Sequence, residues 1–479
     1  MDAPLAASMN VETLGSFPER LIEMDKEDMH AIPLADQAAI QLKGARKRFH
    51  ELRARIPMLA RLAEEQSVTE VRTIEDLAPL LIPHSALKSY PMSYLEKSQF
   101  GRLTQWLDGF TTHDLSGVDA NACDSIDDWL DLLDAKTEIR VMHSTGTTGK
   151  LSFLPRGTLE MHRMVTVWAS KFRQYKDEIP LIDRPIEDTP VLYTSYRRGA
   201  MAYHRLLDYL ESDLYGGDKT KVLASNPGRL SADAASIGGR LRVAESRGEL
   251  GKIHISPKLL ARRDQFLADQ KNAGAIADKF LADIAARYRG QTVAVIGAVP
   301  TIHYIAVEGL KRGYERLFSP RSYLQLGGGM KGHQLPDDWY DTILRFFGAE
   351  KMVEGYGMTE LLGAARICPG GHFHLPPWEI PFLLDHATGA QLPRTGTHKG
   401  RFGFYDLNTE TYWGGFLTGD EVTLSWGDDA PCTCGRVGPY VHRTLRRYAE
   451  SEGGDDKITC AGAPDAHDKA IEFILQAIG

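Results

Sequence analysis

The sequence predicts an α/β protein with a helical N-terminal region. Three changes of texture carry that reading. Up to about residue 136 the chain is mixed in charge with few strand-like runs; from Thr137 short apolar strands alternate with longer helices; after Asp385 glycine and proline recur every few residues. Alternating strands and helices of this length imply a sheet with helical cover.

In the first region Leu42, Ala45, Phe49 and Leu52 fall at helical spacing and mark one apolar face. Pro83 and Pro91 punctuate a loop-rich stretch, and the acidic, amphipathic segment 123–136 reads as a surface helix. Beyond it, 190–194 reads as a strand, 259–289 as long helical material, 292–298 as a buried strand and 302–312 as a helix. A further strand is expected at 322–326 and a helix at 338–347. The texture after Asp385 predicts a small β-rich subdomain, and 466–478 a short terminal helix. The expected organisation is a helical region over 1–136, an α/β core over 137–384, a β-rich subdomain over 385–447 and a short C-terminal segment over 448–479. There is no internal repeat and no low-complexity segment.

The 479 residues suffice for two or three ordinary domains, with 43% hydrophobic and 25% charged residues. The net charge is −8 and no long Lys/Arg block occurs, which argues against nonspecific nucleic-acid binding. Residues 1–10 lack a basic stretch leading into an apolar core, and Glu12, Glu19 and Asp25 follow, so no secretory signal is expected. No window offers the apolar length of a membrane span; the best, 292–310, contains His303, Tyr304 and Glu308. Five cysteines, an odd number in a long chain, do not make a disulfide framework. The cytoplasm is the expected compartment.

The strongest local signal is the run His143-Ser144-Thr145-Gly146-Thr147-Thr148-Gly149-Lys150. Two glycines let the backbone turn tightly and approach a ligand. Four hydroxyls and a lysine offer donors and positive charge to a polyphosphate. It is not a Walker loop, because only two residues separate Gly146 from the Gly149-Lys150 pair. A flexible polar turn would use the same residue types.

The run resembles the phosphate-loop signature of the adenylate-forming superfamily, which includes acyl-CoA synthetases, luciferases and peptide-synthetase adenylation domains. The resemblance implies that Ser144, Thr145, Gly146, Thr147, Thr148, Gly149 and Lys150 hold the β- and γ-phosphates of ATP. Partner motifs follow in the family's order. Glu354-Gly355-Tyr356-Gly357-Met358-Thr359-Glu360 is similar to the second signature, which implies Tyr356 against adenine, Gly357 beside it, Thr359 on the α-phosphate and Glu360 on Mg²⁺. An aromatic face, a hydroxyl and a carboxylate suit those three partners. The bland alternative is a turn in which Thr359 and Glu360 open the next helix. Phe416-Leu417-Thr418-Gly419-Asp420 resembles the signature whose aspartate accepts from the ribose hydroxyls, although a lone Thr-Gly-Asp is a common turn.

One match competes. Gly327-Gly328-Gly329-Met330-Lys331-Gly332 satisfies G-x-G-x-x-G after a strand, with Glu350 eighteen residues beyond Gly332. Pro336, Asp337 and Asp338 delay the helix that a dinucleotide pyrophosphate would need. In the resembled family a Gly-rich segment here borders the adenine and acyl pockets, which implies Gly327 at the acid and Gly328 and Gly329 at the nucleotide.

Cys432-Thr433-Cys434-Gly435-Arg436 is similar to an element of the phenylacetate–CoA ligase branch. Cys368 and His374, in Cys-Pro-Gly-Gly-His-Phe-His, sit where that branch has a cysteine and a histidine. The resemblance implies a closed structural zinc site of Cys368, His374, Cys432 and Cys434, with His372 as the alternative ligand. Ordinary reduced thiols on turns are the other reading. The segment 53–91 is also similar to the helical entry of this branch and of the acyl-protein synthetases, and Leu326-Gly327-Gly328-Gly329-Met330-Lys331 is closer to the latter.

The departure from the family lies at the C-terminus. Asp455-Asp456-Lys457-Ile458 resembles the hinge to a mobile domain of about a hundred residues, and here a vestigial segment follows it. The family's adenylation lysine is therefore not carried over; Lys331, Lys457 and Lys469 are substitutes by proximity only. Arg443 and Arg447 precede the hinge, and Arg447 is favoured for the ribose-contacting role.

The implied reaction is ATP-dependent activation of an aryl or acyl carboxylic acid as its acyl-adenylate, with release of pyrophosphate and then transfer to a thiol or amine. Lys150, Thr359 and Glu360 are the implied catalytic residues. The acid is expected beside Thr301-Ile302-His303-Tyr304, Gly327 and Tyr356, with His303 facing the carboxylate or simply satisfied at a helix start; Arg197 and His204 are further polar candidates. CoA is left open as acceptor, as are an amine, an acyl-carrier protein and Cys460 in the tail. A nucleotide-binding relative without catalysis, and an NAD(P) dehydrogenase, are the competing classes.

Overall fold

The computed structural model describes residues 10–145, 150–174, 184–248, 263–327 and 334–448. The N-terminal region is helical as expected. Helix α1 (Leu34–Arg53) buries Ile40, Ala45, Phe49 and Leu52 on one face, each large side chain contributing about 1.5–3 kcal/mol of transfer free energy. Beyond the two-residue strand β1 (Ile82–Pro83) and the short helices that follow it, helix α2 spans Ile126–Lys136. The segment read as a surface helix is more deeply set than its acidity suggests: Trp129, Leu130 and Leu133 are fully buried, and Asp127 is buried too.

A hairpin follows, β2 (Ile139–Thr145) antiparallel to β3 (Leu151–Gly157), and then helix α3 (Thr158–Gln174). The central sheet uses β4 (Val191–Arg198), β5 (Val222–Arg229), β6 (Ala294–Ala298), β7 (Tyr323–Gly327), β8 (Met352–Gly357) and β9 (Ala364–Arg366) in the order β5-β4-β6-β7-β8-β9. Its first five members are parallel and β9 is antiparallel. Between them run helices α4 (Ala202–Tyr209), α5 (Ala232–Arg247), α6 (Arg263–Tyr288), α7 (Val299–Lys311) and α8 (Trp339–Phe347).

Side-chain alternation along the strands assigns the two faces. Leu192, Val295 and Leu324 pack with Leu281, Ile302, Ile305, Ile343 and Phe346 of α6, α7 and α8. Their neighbours Val191, Tyr193, Ile296 and Tyr323 pack on the other side with Trp168 and Phe172 of α3 and Leu206 of α4. Both faces are therefore covered, which is why 292–298 reads as a continuous apolar run.

The third sheet is antiparallel: β10 (His372–His374), β11 (Glu379–Leu384), β12 (Thr397–Asp406), β13 (Gly415–Ser425) and β14 (Tyr440–Arg447), in the order β10-β14-β13-β12-β11. It reaches back before Asp385 through β10 and β11, and further still, because β1 pairs in parallel with β13, Ile82 opposite Phe416. The expected terminal helix at 466–478 lies outside the described residues. No helix among the described residues is long and apolar enough to cross a membrane.

Candidate functional site

The described ends of the Ser/Thr/Gly run belong to β2 and to the residue before β3: Ser144 pairs with Ser152 and Thr145 with Leu151. Gly146, Thr147, Thr148 and Gly149 lie outside the described residues. Lys150 is half-buried, its Nζ 4.8 Å from the centre of the Tyr90 ring. Burial, and then the nearby Lys88, lower its pKa from the usual lysine value. Two cations beside one loop form a setting in which an added polyanion gains from both.

Arg156, further down β3, is fully buried and donates through Nη2 to the carbonyls of Thr359 and Leu361, each at 2.7 Å. The same turn is held twice more: Tyr412 Oη donates to the Glu360 carbonyl at 3.3 Å, and Leu362 N–H donates to Asp406 Oδ2 at 3.1 Å. With its backbone tied at four consecutive residues, the turn has little freedom in presenting Thr359 and Glu360. The alternative in which these residues open a helix is overturned. They form the turn between β8 and β9, whose register sets Tyr356 opposite Ala365 and Gly357 opposite Ala364. Glycine is needed at 357, since a Cβ there would lie 2.8 Å from that of Ala364.

Tyr356 is buried beside Phe402 and Phe373, with ring centroids at 5.8 and 6.1 Å, and its hydroxyl donates to Asp420 Oδ2 at 2.9 Å. Burial, then the Asp420 carboxylate, hold the phenol well above its ordinary pKa, so it stays a donor. Arg447 Nε donates to the other oxygen, Oδ1, at 2.7 Å. Strand register places Arg447 directly opposite Asp420. Arg443 is engaged elsewhere, Nε on Glu354 Oε2 at 3.0 Å. The geometry thus separates the two arginines that the sequence left close together. Each Asp420 oxygen keeps further lone-pair capacity for a diol.

The strand order supplies the place for a second ligand. In sequence order the parallel strands run 2-1-3-4-5, and in such sheets ligands bind beyond the carboxyl ends where the order reverses, here between β4 and β6. Thr194 and Thr301 meet there, Oγ1 to Oγ1 at 2.9 Å, and Gly327 ends β7 against the Tyr203 hydroxyl. His303 lies in the first turns of α7, half-buried; burial lowers its pKa, partly opposed by Asp338. Arg197 is taken up by Asp208 and Glu211, at 2.6 and 2.8 Å. His204 is fully buried and held neutral, its pKa pushed down to about 3 by burial and then by His143 and neighbouring arginines. Gly328 and Gly329 lie outside the described residues, as do Cys460, Lys331, Lys457 and Lys469. The competing fingerprint gains nothing: β7 ends at Gly327, and among the described residues the next helix starts only at Trp339.

Cys368, His374, Cys432 and Cys434 converge, with all four ligand atoms within 4.8 Å of one another. Cys368 and Cys432 sulfurs are 3.7 Å apart, and Cys434 Sγ is 3.2 Å from His374 Nε2. The edge of a tetrahedron with zinc–sulfur bonds of ~2.3 Å is about 3.8 Å, so the donor set fits that ion. Gly370 permits the approach, since a Cβ there would be 2.8 Å from Cys432 Sγ. Burial, and then the neighbouring thiols, push Cys434 up to about 12; a bound cation is what would allow such thiols to ionise. His372, the alternative ligand, instead lays its ring near Tyr440 and His442, at 4.8 and 4.6 Å.

Sequence reasoning missed Arg156, Thr194 and Tyr203. The one available signal was a charged residue, Arg156, inside the mostly apolar strand Leu151–Gly157.

No protein-family model matches the chain, and no curated protein sequence matches it. Solved structures do show likeness. An open conformation of 2-hydroxyisobutyryl-CoA ligase in complex with 2-HIB-AMP and CoA is 13% identical, with a TM-score of 0.44 over 87% of this chain and 76% of that one. Apo MatB from Rhodopseudomonas palustris is 15% identical, with a TM-score of 0.31 over 63% of this chain and 46% of that one. The Klebsiella oxytoca NpsA N-terminal subdomain in complex with 3-hydroxyanthranilyl-AMSN is 10% identical, with a TM-score of 0.27 over 60% and 59%. These are distant likenesses, and the chemistry of the site stands on this chain's own residues.

Proposed function

We propose that this chain is an adenylate-forming ligase: it activates a carboxylic acid with ATP, releases pyrophosphate and passes the acyl group to a thiol or amine. One observation carries the reading. Three segments far apart in sequence meet through specific contacts: Arg156, behind the phosphate-loop hairpin, grips the Thr359 turn, and Tyr356, ahead of that turn, grips Asp420. A polyphosphate loop, a hydroxyl–carboxylate turn and an aspartate suited to a diol are thereby joined in one place, as a nucleoside triphosphate requires.

In this reading Ser144, Thr145, Gly146, Thr147, Thr148, Gly149 and Lys150 hold the β- and γ-phosphates. Asp420 accepts from the ribose hydroxyls, with Arg447 holding the carboxylate in place. Tyr356, Gly357, Gly328 and Gly329 border the adenine, and Thr359 donates to the α-phosphate. Glu360, half-buried on a fixed turn, is the carboxylate that would hold Mg²⁺. When bound, that ion supplies positive charge for the phosphates. The acid lies at the β4–β6 switch point, beside His303, Gly327 and Tyr356. Its carboxylate oxygen attacks the α-phosphorus; the new P–O bond forms as the bond to pyrophosphate breaks and pyrophosphate leaves. Fixed donors and a rigid turn favour this step by holding the reactants in line. Cys368, His374, Cys432 and Cys434 would hold a structural zinc ion. The 1–136, 137–384, 385–447 and 448–479 division is the proposed organisation along the chain, with β10 and β11 joining the sheet of the third unit from before its boundary.

The test is ATP–pyrophosphate exchange over a panel of aryl and aliphatic acids. Acid-dependent exchange supports the reading; a protein that binds ATP and exchanges with no acid refutes it in favour of a nucleotide-binding relative.

A further inference from the structure

Two cations are buried on the α3-covered face of the central sheet, away from the phosphate loop. Lys171, on α3, is 7% exposed. Among the described residues no carboxylate and no hydrogen-bond acceptor meets its ammonium; the nearest partner is the Trp168 ring at 6.0 Å, the outer limit of cation–π contact. Its electrostatic neighbour is another cation, Arg366 of β9, which lowers its pKa further after burial has done so. Arg366 is 6% exposed, donates to Tyr323 Oη and stacks over the Tyr323 ring at 5.0 Å.

Aromatic and amide groups line the same face. Phe172 meets Tyr323 edge-on at 5.0 Å, Tyr323 Oη donates to Gln325 Oε1 at 3.1 Å, and Tyr203 also bonds Gln325 while its hydroxyl closes on Gly327. Tyr323, Gln325 and Gly327 alternate along one side of β7. They form a polar track from the carboxyl edge, where the reacting carboxylate is proposed to sit, inward to the two cations. Tyr323 and Gly327 are four residues apart, about 13 Å of strand.

A buried lysine beside an arginine is costly in either protonation state. Charged, it is desolvated and repelled; neutral, its N–H groups remain unmet. An anion arriving between Lys171 and Arg366 would relieve both costs. We propose that Lys171 and Arg366 form a subsite for a second anionic group on the acid, so that the substrate class is carboxylic acids bearing a distal carboxylate or phosphate. This rests on the adenylation reading and adds the far end of its substrate.

The experiment uses matched acids long enough to follow the track, decanoic against sebacic and dodecanoic against dodecanedioic, in ATP–pyrophosphate exchange with wild type, Lys171→Met and Lys171→Arg. Wild type should favour the diacid by on the order of tenfold to a hundredfold in kcat/KM, the worth of a charged hydrogen bond. Lys171→Met should bring the ratio near one, chiefly through the KM of the diacid, and Lys171→Arg should restore part of it. Thermal melting controls for folding and also reads binding directly: diacid without ATP should raise the Tm of wild type and not that of Lys171→Met. Exchange that favours monoacids, or a ratio unchanged in Lys171→Met, overturns the subsite alone. A panel silent in exchange, with diacid still raising the wild-type Tm selectively, overturns adenylation and leaves the subsite. Silence in both measurements overturns both.

Discussion

Asp127 and Asp233 cap each other's helices. Asp233 accepts from the backbone N–H of Ile126 and Asp127 at 2.9 and 3.0 Å at the start of α2, while Asp127 accepts from Ala232 N–H at 3.0 Å at the start of α5. Helix N-termini favour carboxylates, but two buried together oppose one another. Burial, and then the Asp127 charge, push Asp233 up to about 7.

The sign of the pH dependence follows. The folded state holds Asp233's proton more tightly than the unfolded state, so stability from this group is fully present below the unfolded carboxylate pKa and falls as pH rises through about 7. Denaturant unfolding from about pH 5 to pH 8 should show decreasing stability, and Asp233→Asn should flatten that slope. An unchanged slope in Asp233→Asn would place the titration elsewhere.

Glu360→Gln should damage chemistry more than folding, because the turn is held through its backbone by Arg156, Tyr412 and Asp406. Exchange activity should drop about 10²–10³-fold, the usual cost of losing one well-placed electrostatic group, with Tm nearly unchanged. Equal activity in wild type and variant would remove Glu360 from the mechanism.

Arg156→Met should do the reverse in emphasis. It leaves the carbonyls of Thr359 and Leu361 without their buried donor, a loss of about 2–5 kcal/mol by the precedent of broken buried charged contacts. The turn loosens, so kcat falls as well. Denaturant midpoints and exchange kinetics on the same preparations check both effects.

Asp420→Ala should raise the KM for ATP by on the order of tenfold or more, since a carboxylate that accepts from a diol contributes roughly 1.5–3 kcal/mol. Tyr356→Phe removes one donor to Asp420 but keeps the ring packing on Phe402, so its effect on ATP should be smaller. A larger effect in Tyr356→Phe would mean that the hydroxyl itself contacts ligand.

Purified protein should carry about one zinc per chain, as a single closed site demands, and a strong chelator should lower its Tm. Cys432→Ser should lose the metal. Metal-free protein with full stability would leave the four residues as reduced thiols and an imidazole.

The elements legible in the sequence were those whose pattern is local. The runs at 292–298 and 322–326 read as strands because both faces of β6 and β7 are covered, and the phosphate-loop signature stood out by its hydroxyls and glycines alone. The β8–β9 hairpin was not legible: three residues of β9 give no periodicity, and Thr359-Glu360 looks equally like a helix start. Buried charge was invisible too. Arg156, Lys171 and Asp127 have the side chains of surface residues, and only tertiary packing shows that water has been removed from them. Arg447 could be favoured over Arg443 in sequence, but its contact with Asp420 emerges from strand register alone.

The pairing of Ile82–Pro83 with Phe416–Leu417 bears on how this chain is made. These partners lie more than three hundred residues apart, and Asp420 sits on the same strand three residues beyond Leu417. As the chain emerges from the ribosome N-terminus first, the edge offered by β1 must wait until most of the protein has been synthesised. Contacts of such separation carry a high closure cost and form late. Assembly of the strand that bears Asp420 therefore reports on completion of the whole body, and a refolding probe placed at Trp413, whose indole donates to Leu80 at 2.8 Å, should be among the last to reach its native signal.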